Sequence, residues 1–435
     1  MGVTGLGVSA ASAGVAQSSI VSERPAAYTP DLAKDAVVSH PASYAVEQGS
    51  TMMYVGGQFN AVQNGNGSGG VGPVLTRKNF LAFDISNGQV STTMMPTFDG
   101  NVWAIRYSAG SLYVAGEFTT VNGQTGHGGI VKINATTGAV DPAFHQPWGS
   151  GKAYDLQVVG GRVIVGGTFA GALLALNPAT GANLHYFDSF SVSGTCVNNL
   201  KCGTQNTPTT NEPTHVYRFA VNDAGTRLVA IGNFDAPHPR AFMVDLGASA
   251  GTLDGWYYRP FAHTCQLPKV YPAYLRDVDF SPDGSYFVVV ATGYVVANND
   301  PALLGVDVCD AAARFETNTP NQSRATWINY TGGDTLHAVV VTGAAVYVQG
   351  HNRWLDNAGG WDTCNAAAGC VGRPGIGAID PNTGRALPWN PTKTRNVGGK
   401  DLLSTSQGIW VASDGPNIGK TAGDKYHYGI ALLPL

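Results

Sequence analysis

The stretch MMYVGGQF (52–59) decides the fold, because it returns as SLYVAGEF (111–118), RVIVGGTF (162–169) and RLVAIGNF (227–234). Each copy is a short β-branched and aromatic run that ends in small residues and then Phe, the composition of a half-buried strand. Weaker copies stand at SYFVVVATGY (285–294), AVYVQGHN (345–352) and GIWVASDG (408–415), giving seven units. A period of roughly 50–65 residues marks a repeat architecture and is read before any local motif.

Working outward, each unit continues into a second apolar run closed by a turn: FLAFDISNGQV (80–90), IVKINATTGAV (130–140), LLALNPATGANL (173–184), AFMVDLGASAGTL (241–253) and IGAIDPNTGRAL (376–387). Asn-Gly and Thr-Gly supply the left-handed geometry of hairpin turns. Ahead of each copy lies another strand: SYAVEQG (43–49), VWAIRYS, AYDLQVV, VYRFAVN, LRDVDFS, LHAVVVT and KDLLSTS. An outer strand is placed at FHQPW (144–148), WYYRP (256–260) and LPWNP (387–391). Seven sheets of four antiparallel strands predict an all-β, seven-bladed β-propeller as a single domain over residues 18–435. The seventh unit reaches Leu435 without an outer strand, and SIVSERPAAYTP (19–30) carries the missing ending. The last blade is therefore expected to be completed by the N-terminal strand, with Pro25 and Pro30 tolerated on an edge.

The YVGG-x-F hairpin with its aliphatic-Asp-x-x-Thr-Gly turn, clearest in GRPGIGAIDPNTGRALPWNPTKTR (372–395), resembles the repeat of secreted actinobacterial β-propellers related to the kelch-like and delta-60 groups. The resemblance covers roughly residues 19–435 and implies a propeller fold and secretion, with no activity attached. The kelch Tyr and Trp are not regular here, and Trp361-Asp362 sits in a loop, so it is not a WD repeat.

Composition narrows the partners. The 435 residues carry 25 Lys+Arg and 29 Asp+Glu, 12% of the chain, about half the usual ~25%. A net charge of −4 supplies no basic field for nucleic acid or an anionic membrane. No stretch reaches the ~18 apolar residues of a membrane span. Residues 1–17, small and apolar with Ala11-Ser12-Ala13, read as the truncated remnant of a secretory signal without its basic region. Among six cysteines, Cys196/Cys202 and Cys364/Cys370 form tight pairs in polar loops. Their spacing suits a disulfide better than the C-x-x-C of zinc, and elimination pairs Cys265 with Cys309. An oxidising compartment and a secreted monomer follow.

Chemistry is expected in the long loops 58–79, 117–128, 188–214, 258–273, 350–374 and 413–427, where propeller ligands meet the central channel. Aligning the innermost strands puts Tyr44, Trp103, Tyr154, Tyr217, Arg276, His337 and Lys400 at one position, and Ala45, Ala104, Asp155, Arg218, Asp277, Ala338 and Asp401 at the next. Strand alternation allows only one of these rings to face the channel or the mouth at a given height. Asp155, Asp277 and Asp401 with Arg218 are candidates to bind a hydroxyl-rich ligand, hold a cation, or act as general acid and base. The competing reading is that such Asp residues satisfy backbone N–H groups. Glu117 and Asp414 are further carboxylates facing the same loops. No H-x-x-x-H or H-x-H pair occurs, so no metal and no cofactor are expected, and no motif indicates calcium. NGNGSGGVG (64–72) lacks the Lys-Ser/Thr of a phosphate loop and reads as a mobile linker. Trp148, Trp354, Trp361 and Trp389, with Tyr271, Tyr294 and Tyr426, offer faces for sugar rings. The expected function is binding of an extracellular polymer, a glycan first. The alternatives are a glycoside hydrolase, a polysaccharide lyase using His337, Tyr217 and Arg218, or a protein-interaction scaffold.

Overall fold

In a computed structural model of the chain, residues 15–194, 213–419 and 427–435 are described, apart from Ser68 and Lys269. The expected Cys196–Cys202 bridge, Tyr426 and most of the stretch read as a signal remnant lie outside them. The chain is all-β, with helix confined to short 3-10 turns such as Arg259–Ala262 among the described residues.

Every copy of the founding motif forms the second strand of an antiparallel sheet. The first strands are Ala42–Gln48, Val102–Ser108, Ala153–Val159, His215–Val221, Leu275–Phe280, Leu336–Val341 and Asp401–Thr405. The third strands are Phe80–Asp84, Ile130–Asn134, Leu173–Leu176, Ala241–Leu246, Ala311–Glu316, Ile376–Ile379 and Ile430–Pro434. Each first strand lies beside the first strand of the next sheet, and Asp401–Thr405 lies beside Ala42–Gln48.

The core follows the same order. Seven apolar clusters each join two successive sheets, and one of them joins the last to the first through Val46 and Phe83 against Trp410 and Leu432. The strands are buried on both faces, so their runs are continuously apolar where a half-solvated sheet would alternate.

The outer strand falls earlier in each unit than the aromatic-Pro segments suggested. It begins directly after the turn that closes the third strand, as the full strands Gly251–Leu253 and Trp327–Tyr330 or as single bridges of Val90, Val140, Asn183 and Ala386 to the third strand. The aromatic-Pro segments instead fill the gaps between sheets: Phe144 with Trp148, Trp256 with Tyr258, and Trp389 are buried in the clusters there. A large ring that must be buried gains more from such a gap than from an exposed edge.

The N-terminal segment lies along the last strand, Ser22 N–H donating to Pro434 O at 2.6 Å and Ala26 N–H to Leu432 O at 2.8 Å. Gln17, within the stretch read as a signal remnant, is buried, and its side-chain amide donates to Thr405 O at 3.1 Å. The domain therefore extends to residues before 18. The Gly-rich stretch read as a linker is also more regular than expected. Ala61–Gly65 and Gly70–Thr76 form a hairpin, with Asp31–Ala33 paired to its first strand.

Two disulfides stand as the cysteine spacing indicated, Cys265–Cys309 and Cys364–Cys370, with Cα separations of 5.8 and 5.6 Å. No helix is long and apolar enough to cross a membrane among the described residues.

Candidate ligand-binding site

The motif's small residues have a specific task. In the first sheet Ser43 pairs with Gly57 and Ala45 with Gly56, which leaves Tyr44 as an extra residue, a β-bulge. The register slips at the same place in the next five first strands, at Trp103, Tyr154, Tyr217, Arg276 and His337. In the seventh, Lys400 N–H donates to the carbonyl of Ala412, which is already the partner of Asp401. The bulge pushes a first-strand carbonyl onto the opposite Cα. A Cβ on Gly57 would stand 2.1 Å from Ala42 O, and one on Gly167 would stand 2.0 Å from Lys152 O. That close approach explains the Gly before x-Phe.

A bulge also suspends strand alternation, so both aligned rings line one central space at successive depths. Four residues of the upper ring, Trp103, Tyr154, Tyr217 and Arg276, line a recess of about 310 Å³, with Glu117, Lys152, His215 and Tyr274 beside them; Tyr44, His337 and Lys400 are not among its lining. The lower ring and the residues below it line a cavity of about 60 Å³ to which all seven first strands contribute, among them Arg106, Asp155, Arg218, Asp277, Asp279 and Asp401.

The lower cavity is an electrostatic clasp between sheets. Asp155 accepts the N–H of Phe219, Asp277 that of Val339, and Asp401 that of Val46, each at 2.9 Å. Glu47 and Asp279, which the alignment did not single out, do the same for Tyr107 and Val341. Arg218 Nη1 lies 3.7 Å from Asp155, and Arg106 Nε donates to Gln157 Oε1 at 3.0 Å. Burial pushes Glu47 and Asp277 up to about 7 and raises Asp279 and Asp401. Burial would lower Arg218, but Asp155 and Asp277 hold it above its ordinary value. A carboxylate pair that cleaves a glycosidic bond needs the sugar between its members. A space of about 60 Å³ holds a few waters and no sugar. Asp155, Asp277, Asp401 and Arg218 thus all line this small cavity, where each of the three carboxylates accepts a backbone N–H from the next first strand.

The recess above is chemically different. Tyr44 stacks on Trp103 at 4.4 Å, Trp103 meets Tyr154 edge-on at 6.3 Å, and Tyr154 lies 5.5 Å from Tyr217. Burial, then Asp414 and Glu117, push the Tyr44 hydroxyl up to about 12, and it donates to Gln58 at 3.0 Å. Arg276 lies over the Tyr274 ring at 4.7 Å. His337 Nε2 is 3.0 Å from Val397 O, and burial with the Lys400 and Arg276 charges holds its pKa well below the usual range. Glu117 is tied to Lys152 Nζ at 2.5 Å and to Asn101. Asp414 Oδ2 accepts the N–H groups of Val397 and Gly398 at 2.9 and 3.2 Å, while its Oδ1 is buried without a hydrogen-bond partner.

Of the residues expected to bind ligand, Tyr217 and Arg276 line the recess, and His337 and Lys400 hold the equivalent bulge positions. Trp354 and Trp361 are not among its lining. Trp354 carries the Arg353 guanidinium at 4.2 Å, and Trp361 joins Tyr294 and Tyr271 in an exposed aromatic row. Trp148 packs on Phe169 at 4.1 Å under its own loop. Lys152 and Tyr274 were missed because they lie just before a first strand, outside the aligned column. Among the described residues no cluster of His, Cys, Asp and Glu is arranged to hold a metal ion.

No family model and no curated protein matches the chain. Among solved structures it is similar to the computationally designed Ika8 protein at 11% identity and a TM-score of 0.46, over 94% of this chain and 100% of that one. It is also similar to the WD40 β-propeller domain of Doa1 at 10% identity and a TM-score of 0.47, over 89% and 93%.

Proposed function

We propose that this chain is a secreted seven-bladed β-propeller that binds a glycan in the recess at one end of its central channel. The architecture is supported by seven successive sheets whose first strands neighbour one another in order and by the contact of the last with the first. The two bonds from Ser22 and Ala26 to the final strand support completion of the last blade by the N-terminal segment. The two disulfides support an oxidising, extracellular setting.

The observation that carries the function is the run of bulge-borne rings Trp103, Tyr154 and Tyr217 on a recess of about 310 Å³, with Tyr44 stacked on Trp103 beside them. Ligand clefts occupy ~300–1,000 Å³, so the space suits one or two sugar rings. Aromatic faces stack on the apolar face of a pyranose while its hydroxyls reach polar groups at the edge. Binding is favoured over hydrolysis because Glu117 is the one carboxylate among the described residues lining the recess, and hydrolysis needs two.

A glycan array followed by calorimetry tests the reading, with Trp103→Ala expected to weaken binding at least tenfold without lowering the melting temperature by more than a few degrees. Unchanged binding in Trp103→Ala together with loss in Trp361→Ala would move recognition to the Tyr271–Tyr294–Trp361 row.

A further inference from the structure

The seven bulge positions divide by chemistry as well as by order. Tyr44, Trp103, Tyr154 and Tyr217 are consecutive and aromatic; Arg276, His337 and Lys400 are consecutive and basic. Because the first strands stand side by side in chain order, this division is spatial, an aromatic arc facing a basic one.

The basic arc is not neutralised from within. Among the described residues the Arg276 guanidinium and the Lys400 ammonium have no hydrogen-bond or ion-pair partner, whereas Lys152 at the same rim is paired with Glu117. The Nε of Arg276 is buried without an acceptor. The carboxylates one residue further on, Asp277 and Asp401, are turned to Val339 and Val46. Asp414, a carboxylate that acts on Lys400, is engaged by the Val397 and Gly398 N–H groups. Burial and the Arg276 charge push Lys400 down to about 8, and Asp414 offsets this only in part.

We propose that the recess takes an acidic sugar, a uronate residue whose ring lies against Trp103, Tyr154 and Tyr217 and whose carboxylate meets Arg276 at the recess wall, with the Lys400 charge at the next but one station adding to its attraction. This rests on the reading of the recess as a glycan site. A planar carboxylate matches the guanidinium fork in a way that a hydroxyl does not, and its charge relieves the repulsion between the two cations. Arg276 is already placed against an aromatic plane, Tyr274, so little freedom is lost when it binds.

The test measures binding of uronate tetramers (galacturonate, mannuronate and glucuronate types) beside the methyl ester of each, which keeps the ring and removes the charge. At least one free acid is expected to bind ten times more tightly than its ester, with an advantage that shrinks as salt rises. Arg276→Gln and Lys400→Gln are each expected to cost the acid about tenfold and the ester much less, with unchanged melting temperatures, whereas Trp103→Ala weakens both forms. Equal affinity for acid and ester, or retention of acid binding in both Gln variants, overturns the inference and leaves the glycan reading intact. Binding of neither form, with none by any neutral glycan of the array, overturns both.

Discussion

Asp401 Oδ2 holds the backbone N–H of Val46 at 2.9 Å, across 355 residues of sequence. The bond joins the first strand of the last sheet to the first strand of the first, at the level where Asp155 and Asp277 join their own neighbours. A carboxylate that could have served catalysis is thereby engaged in holding the two ends of the chain together.

Replacing Asp401 by Leu removes the acceptor and leaves a half-buried N–H without a partner, a loss of about 1–3 kcal/mol. Asp401→Asn keeps an acceptor oxygen and is expected to lose much less. Urea midpoints of the two variants check this, and equal losses would show that the carbonyl-like oxygen is not what matters.

The buried acids also set a pH dependence. Burial holds Glu47, Asp277 and Asp31 up at about 7 and Asp310 at about 8, all above their unfolded values. The folded chain then binds more protons than the unfolded one over the interval between, so stability is greatest on the acid side and falls as pH rises through 7 to 8. His215 and His337, lowered by burial, act in the opposite sense below about 6.5. The clear window is therefore about pH 6.5–8, where the melting temperature is expected to fall. Asp277→Asn, a permanent mimic of the protonated acid, is expected to flatten that fall and melt higher than the parent at pH 8.

Gly167→Ala places a methyl group 2.0 Å from Lys152 O, which forces the bulge open. A loss of about 1–3 kcal/mol is expected from this overpacking. Gly149→Ala meets nothing within 4 Å and serves as the control with no comparable loss. Similar losses for both would show that the close approach is not what requires glycine.

The bridges are expected to differ in weight. Loop-closure entropy over the 44 residues of Cys265–Cys309 is worth roughly 4 kcal/mol, and over the 6 of Cys364–Cys370 roughly 2. The Cys265→Ser/Cys309→Ser double variant should therefore melt lower than its Cys364/Cys370 counterpart. Peptide mapping without reduction is expected to recover both bridges and a third linked pair, Cys196 with Cys202.

Much of this was legible in the sequence because it recurs. Seven copies of one strand define seven sheets, and the column from Tyr44 to Lys400 could be aligned before any coordinate. The bulge was not legible, since a one-residue slip leaves composition unchanged and strand alternation is the default reading. A trace of it was present: Tyr44-Ala45-Val46 and Val102-Trp103-Ala104-Ile105 run apolar without alternating, opposite a Gly pair or Ala-Gly. The contacts of the acids were not legible for a related reason. Sequence places a carboxylate on a strand but says nothing of the N–H group that the next sheet will present to it. The aromatic-Pro segments looked like strands because strand formers and gap-filling rings are the same residues.

The bulge has one further consequence, for how such a molecule can diversify. The inserted residue has no ladder partner of its own, so its identity is uncoupled from the pairing of the strands on either side. Aromatic, basic and small side chains can be exchanged at seven separate stations around the rim while the scaffold beneath stays constant. The chemistry of the rim can then be rewritten one station at a time, and duplication of a repeat supplies each new station already at the rim.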